Sequence, residues 1–215
     1  MNKLELEIIE LKKRWNERAS SWDNDLKDSK HYSNFEHSYE RTDLFTIKFL
    51  KRFFSNIKAL NALDLGCGTG ESTTKLLPFA QNVFGVDISE KMIENADSKK
   101  YPVQFSCQNA MSLNFNNEMF DLVISRGIMI SHVPIGGQED IVKEVSRITH
   151  SGSVIIFDFL HDIETKKKYT KYSSPKAHYY QESVLKLLES VNIRGKYYYG
   201  GTKTERVNRI AIIKQ

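Results

Sequence analysis

The chain has 215 residues, 40% of them apolar and 27% charged, with 31 Lys and Arg against 27 Asp and Glu and a formal net charge of +4. That composition suffices for a full-sized core without disulfide staples, and it excludes global disorder and a polycationic nucleic-acid wrapper. No apolar run reaches the roughly 18 residues of a membrane span, the opening MNKLELEIIELKKRW is too charged for a signal peptide, and two cysteines make neither a disulfide framework nor a four-thiolate zinc site, so a cytoplasmic, membrane-free protein is expected.

The first 60 residues read as helices. Leu4, Ile8, Leu11, Trp15 and Trp22 recur at helical spacing, and Leu44, Ile47, Leu50 and Phe54 mark a second amphipathic helix. Between them lies a polar stretch, DNDLKDSKHYSN. From Ala59 the pattern changes to short apolar runs alternating with helical stretches. The runs are ALNALDLG, NVFGVDI, VQFSCQ, FDLVISR and GSVIIFDF, with helices expected over 71–77, 90–98 and 139–148. This alternation implies right-handed crossovers and a parallel sheet covered on both faces. After a further helix over 182–190, KYYYGG and RVNRIAIIK are joined by so short a link that they must form an antiparallel hairpin. The expected organisation is a helical N-terminal lid, residues 1–58, belonging to the same domain as an α/β unit over 59–215.

The most informative stretch is Leu63-Asp64-Leu65-Gly66-Cys67-Gly68-Thr69-Gly70. A buried strand that runs into three glycines within five residues allows a tight turn and close backbone approach to a ligand. A dinucleotide-binding G-x-G-x-x-G pattern would need glycine where Glu71 stands, so that signal fails. Seventeen residues past Gly70, the second strand run ends in Asp87. A carboxylate there can accept hydrogen bonds from both hydroxyls of a ribose lying over the glycine loop. It can also cap the helix that begins near Glu90.

Together these residues resemble the class I S-adenosylmethionine-dependent methyltransferases, in the small-molecule branch related to the ubiquinone and menaquinone methyltransferases. LDLGCGTG is similar to that family's first motif, GVDIS to its second, CQNAMSLNF to the adenine-contacting motif after strand three, and FDLVIS to its fourth. The resemblance covers about residues 59–215. It implies a Rossmann-like, doubly wound seven-stranded sheet of order 3-2-1-4-5-7-6 with strand 7 antiparallel. It also implies S-adenosylmethionine as cofactor, S-adenosylhomocysteine as product, and transfer of a methyl group to oxygen, nitrogen or carbon of a small metabolite. Carried onto this chain, Asp64 holds the loop or reaches the methionine ammonium, and Gly66, Cys67, Gly68, Thr69 and Gly70 offer backbone to the methionine part. Asp87 binds the ribose, with Ile88 and Ser89 beside the adenine. Asn109, Ala110 and Met111 meet the adenine edge, and Ser125, Arg126 and Gly127 approach the methionine portion. The family usually has Asp where this chain has Asn109.

The sulfonium cofactor carries the reactive methyl, so a dedicated base is optional. His132, seven residues beyond Ser125, is the best-placed candidate for proton transfer or substrate contact. Asp158, His161, His31 and Tyr32 are further substrate-contact candidates, and Arg41 could grip a carboxylate, though a surface arginine is the plainer reading. The histidines show no metal-ligand spacing, and no metal is expected.

Charge is uneven along the chain: residues 1–160 sum to −3 and residues 161–215 to +7. In the 166–180 segment five lysines interleave with Tyr169, Tyr172, Tyr179 and Tyr180. Such a segment can be a solvated loop, the rim of a pocket for an anionic small substrate, or a nucleic-acid or protein contact. Ser125-Arg126-Gly127-Ile128 stands where amino-directed nucleic-acid enzymes resemble one another in an Asn/Asp-Pro-Pro-aromatic motif, which argues against nucleic acid. A non-catalytic scaffold of the same fold is the remaining reading; the intact glycines and Asp87 argue against it.

Overall fold

The computed structural model describes residues 3–22, 44–126, 133–134, 137–160, 181–200 and 207–215. Helix α1 spans Lys3–Arg18, with Glu5 in its first turn and Arg18 in its last, both favourable to the helix dipole. Its expected stripe faces inward: Leu11 is buried, and Leu4, Ile8 and Trp15 are half-buried. Residues 44–53 form helix α2. Of the expected apolar face, Ile47, Leu50 and Phe54 pack on the core, and only Leu44 departs from it, being 57% exposed. Phe45, Phe49 and Phe53, each four residues apart, widen the inner face, with ring centroids 6.2 and 6.0 Å apart. Leu50 is fully buried, as the spacing suggested.

The α/β part follows in the order β1 (Ala59–Leu65), β2 (Ala80–Asp87), α3 (Glu90–Ser98), β3 (Gln104–Cys107), β4 (Phe120–Ser125), α4 (Gly137–Ile148), β5 (Thr149–Leu160), α5 (Gln181–Ser190), β6 (Gly195–Gly200) and β7 (Val207–Lys214). The seven strands form one sheet of order β3-β2-β1-β4-β5-β7-β6. Strands β1 to β5 are parallel, and β7 runs antiparallel to both β5 and β6. This is the order the resemblance implied. The helix expected over 71–77 is instead a single 3-10 turn, Thr73–Leu76. Only seven residues separate Gly70 from Pro78, and proline disfavours helix in the residue before it, so an α-helix has no room to propagate.

Both sheet faces are covered, which explains why Leu122, Val123 and Ile124 are all fully buried. On one face Leu11, Val142, Val145 and Leu188 pack with Val123, Ile155 and Ile210. On the other, Leu50, Leu76 and Phe79 pack with Leu122, Ile124, Ile156 and Ala211. Asp158 and Arg209 are cross-strand partners on β5 and β7. Both are fully buried and bridged at 2.7 Å, and Arg209 also donates to Thr46 Oγ1 on α2. Among the described residues, no helix is long and apolar enough to cross a membrane.

Candidate functional site

The connection from β1 turns toward β2, while β4 pairs on the opposite edge of β1. The topology therefore switches direction between β1 and β4, and in such sheets the crevice outside the strands' carboxyl ends at the switch is where ligands bind. The registers Leu65↔Val86, Leu65↔Ser125 and Asp87↔Cys107 bring the ends of four adjacent strands level. Every expected cofactor residue within the described part, from Asp64 to Arg126, lies at or just beyond these ends.

The loop after β1 turns on Gly66, Gly68 and Gly70, with φ of 74°, 56° and 76°, a region in which side chains other than glycine are strained. Gly70 has a packing reason as well. A Cβ there would lie 2.4 Å from Phe105 Cζ and 3.3 Å from Ala96 Cβ. A Cβ on Gly68 would meet nothing closer than Trp22 Nε1, at 3.8 Å. The loop's N–H groups are largely taken internally. Those of Gly66 and Cys67 both donate to the Val86 carbonyl, Gly70 N donates to the Cys67 carbonyl, and Gly68 N donates to Asp87 Oδ2 at 3.0 Å. The loop thus meets a ligand with carbonyl and carboxylate oxygens.

Asp64 is buried and accepts from Thr73 Oγ1 at 2.7 Å and from Arg126 Nη2 at 3.1 Å, both through Oδ2. Its Oδ1 and Ser125 Oγ, on neighbouring strand ends, are buried with no hydrogen-bond partner among the described residues. A buried polar atom without a partner is costly and points to a missing one. Asp87 staples the loop to β2: Oδ2 holds Gly68, and Oδ1 accepts from Ser89 N at 2.9 Å. Burial pushes the Asp87 carboxyl above its ordinary 3.8, against the lowering effect of these N–H groups. The helix cap is Ser89 rather than Asp87, since Ser89 Oγ accepts from Met92 N at 3.1 Å. Burial also raises the Cys67 thiol well above its usual range, so it stays protonated.

Beyond β3, Asn109 Oδ1 accepts from Met111 N at 3.0 Å, and Gln108 N donates to the Asp87 carbonyl, which lays 108–112 beside the end of β2. One ion pair fixes the next turn. Glu144 Oε2 accepts from Leu113 N at 2.7 Å, while Arg147, held by Glu144, donates to the carbonyls of Leu113 and Phe115.

Helix α1 is fastened to this rim, a contact the sequence pattern did not disclose. Asn16 Oδ1 accepts from Ser89 Oγ at 2.6 Å and Lys91 N at 3.3 Å, and its Nδ2 donates to Glu90 Oε2 at 3.1 Å. Lys12 pairs with Glu90, and Asn95 Nδ2 donates to the Ala19 carbonyl at 2.9 Å. The bonds from Lys12 and then Asn16 hold the exposed Glu90 carboxylate down to about 2, from an ordinary 4.5.

Of the candidates for chemistry, His31, Tyr32, Arg41, Gly127, His132, His161 and the 166–180 segment lie outside the described residues. Asp158 lies within them, fully enclosed in the ion pair with Arg209. Asn16, Thr73 and Trp22 were missed as site residues. The first two are generic polar residues with no motif, and Trp22 was read only as part of a helical stripe. Among the described residues, no group of three His, Cys, Asp or Glu side chains could hold a metal ion.

Residues 62–152 match the methyltransferase domain family. The demethylmenaquinone methyltransferase of Lactococcus lactis is 32% identical over 127 residues, which are 55% of this chain and 49% of that protein. The malonyl-[acyl-carrier protein] O-methyltransferase of Bacillus cytotoxicus is 30% identical over 119 residues, 54% of this chain and 38% of that protein. The chain therefore spans half or less of the length of these curated relatives. A crystal structure of the Synechocystis magnesium protoporphyrin IX methyltransferase with bound S-adenosylmethionine superposes with a TM-score of 0.76, covering 97% of each chain at 17% identity. The fold is the Rossmann-like one of that methyltransferase structure, and the match to the methyltransferase domain family runs from β1 to the start of β5, across the strand ends that form the site.

Proposed function

We propose that the protein is an S-adenosylmethionine-dependent methyltransferase acting on oxygen, nitrogen or carbon of a small metabolite. One observation carries this reading: the strand-end crevice presents oxygens, while the loop N–H groups of Gly66, Cys67, Gly68 and Gly70 are already bonded. Dinucleotide sites do the reverse, aiming free N–H groups and an α-helix N-terminus at a pyrophosphate. Here a four-residue 3-10 turn follows the loop, and two carboxylates stand at its edge. Oxygens suit a ligand bearing an ammonium, a sulfonium and two ribose hydroxyls.

The residues present fit that group. Asp64 Oδ1 and Ser125 Oγ, unpartnered and buried, are available to its amino-acid end. Asp87 retains lone pairs for the ribose hydroxyls beyond the two N–H groups it holds. Ile88, Asn109, Ala110 and Met111, all half-buried, flank the space for the adenine. Asn109 Oδ1 already accepts from Met111 N, so its amide can donate to the ring where the family's Asp could only accept. When bound, the group supplies a methyl activated by a sulfonium. The protein's task is to hold and align both partners and to exclude water, with residues 1–58 covering the site as part of the same domain. The named relatives act on a quinone precursor and a malonyl thioester carrier, and the structural neighbour on a porphyrin. An acceptor that is a small, anionic metabolite fits the basic 166–180 segment, with His132 positioned in sequence to take its proton. Two free cysteines, Cys67 and Cys107, agree with a reducing cytosol.

Calorimetric titration with S-adenosylhomocysteine tests the reading. Micromolar binding is expected, weakened at least tenfold, or ~1.4 kcal/mol, in Asp87→Ala. Because protonated Asp87 accepts less well, affinity should also fall on acidification, at a higher pH than an unperturbed aspartate would give. No heat at millimolar ligand with the wild-type protein would refute it.

A further inference from the structure

We infer that Trp22 belongs to the cofactor site and that its indole N–H binds the carboxylate at the amino-acid end of the cofactor. The inference rests on the function proposed above. It starts from a position: the site a Gly68 Cβ would occupy is 3.8 Å from Trp22 Nε1, so the indole turns its one polar atom toward the glycine loop. Trp22 is half-buried, and its N–H makes no hydrogen bond among the described residues. A tryptophan N–H facing a site without a partner is a donor waiting for an acceptor.

The indole is held in that orientation from behind. Trp15 meets it edge-on at 5.5 Å between centroids, and the Arg18 guanidinium lies 5.3 Å from its ring centroid and 5.4 Å from that of Trp15. The helix bearing this stack is fastened to the start of α3 by Asn16 and Lys12, and its trailing turn by Asn95. Trp22 is thus set by the same rim that carries Asp87 and Ser89.

The chemistry decides which part of the ligand it meets. Ribose and adenine are drawn toward Asp87 and Asn109, at the ends of β2 and β3, which leaves the amino-acid end over the loop between β1 and β4. That end carries a carboxylate, yet the N–H groups of Gly66, Cys67, Gly68 and Gly70 are already bonded. A carboxylate there needs a donor from outside the loop, and Trp22 brings one, with the Arg18 charge behind it. Those four N–H groups do not supply this contact; the turn just beyond helix α1 does.

The test compares S-adenosylhomocysteine with 5′-methylthioadenosine, which keeps adenine and ribose and lacks the amino-acid end. Trp22→Phe keeps an aromatic ring for Trp15 and Arg18 and deletes only the N–H and the second ring. It is expected to weaken S-adenosylhomocysteine about tenfold and 5′-methylthioadenosine less than about twofold, while Asp87→Ala weakens both. Unchanged affinity for S-adenosylhomocysteine, or equal loss for both ligands, overturns the inference; equal loss would show a structural role only. A second measurement does not depend on that variant. The chain has two tryptophans, so Trp15→Phe leaves Trp22 as the sole emitter. Its emission should change saturably with S-adenosylhomocysteine and much less with 5′-methylthioadenosine; equal responses to the two, or none at a concentration where calorimetry shows full binding, overturn the inference. Wild-type protein that binds neither ligand overturns the proposed function itself, a result separate from either of these.

Discussion

Gly68 and Gly70 stand two residues apart in the same loop with nearly the same backbone conformation, yet the structure assigns them different reasons. Alanine at either position must adopt a positive φ, 56° or 76°, at a cost of roughly 1–2 kcal/mol. At position 70 the new methyl also lies 2.4 and 2.8 Å from Phe105 ring carbons. That ring has no easy escape, because it covers Gly85 as well, within 2.7 Å of where a Cβ on that residue would be. Overpacking of this kind adds roughly 1–3 kcal/mol, so Gly70→Ala should lose about 2–5 kcal/mol in all. Gly68→Ala meets only Trp22 at 3.8 Å, an ordinary contact, and should lose about 1–2 kcal/mol. Binding should rank the other way for its size of stability loss. Gly68→Ala puts a methyl between the loop and Trp22, where the ligand's amino-acid end would lie, and should abolish measurable S-adenosylhomocysteine binding in a folded protein. Urea unfolding supplies the stabilities and calorimetry the affinities. In Gly70→Ala, shortening the ring with Phe105→Leu should recover the steric part and leave the backbone part. A Gly70→Ala protein within 0.5 kcal/mol of wild type, or a Gly68→Ala protein that binds normally, would refute this division of roles.

Two further outcomes follow from charged contacts. Glu90 is held at about 2 against an ordinary 4.5, so its bonds to Lys12 and Asn16 contribute fully above about pH 4.5 and are lost as pH falls from there toward 2. Tryptophan emission from α1 should shift in that window, and Glu90→Gln should remove the step; a shift of the same size in Glu90→Gln would exclude this cause. Arg209→Ala leaves Asp158 charged and fully buried, so it should cost about 3–5 kcal/mol in urea unfolding. The double variant Asp158→Ala/Arg209→Ala should cost clearly less than the two single variants together. Additive losses would mean that the two side chains do not depend on each other.

The alternation of apolar runs and helices sufficed for the sheet. A strand such as FDLVIS, apolar on both faces, belongs only in the middle of a parallel sheet, and a link as short as GGTKTE leaves no choice but a hairpin. The ends of the four strands that form the site were equally legible, because glycines in such density after a strand have a local backbone meaning. Local pattern failed where a contact between distant segments decided the outcome. On α2 the stripe held except at Leu44, while the inner face widened to Phe49, which meets Tyr198, and Thr46 turned inward toward Arg209, 163 residues away. The turn after the glycine loop shortened to 3-10 because Pro78 stands close behind it. Asp158, read as a strand-end candidate for substrate contact, is enclosed with Arg209 by a cross-strand pairing that depends on the register of β5 and β7. Asn16 and Trp22 carry no sequence signal, since an asparagine on an amphipathic helix and a tryptophan just after it look alike wherever the helix docks. Sequence determined the sheet and the loop through short-range periodicity and backbone stereochemistry. Only tertiary structure, by fastening α1 to the start of α3, could bring a tryptophan from just beyond the N-terminal helix over the second glycine of the loop.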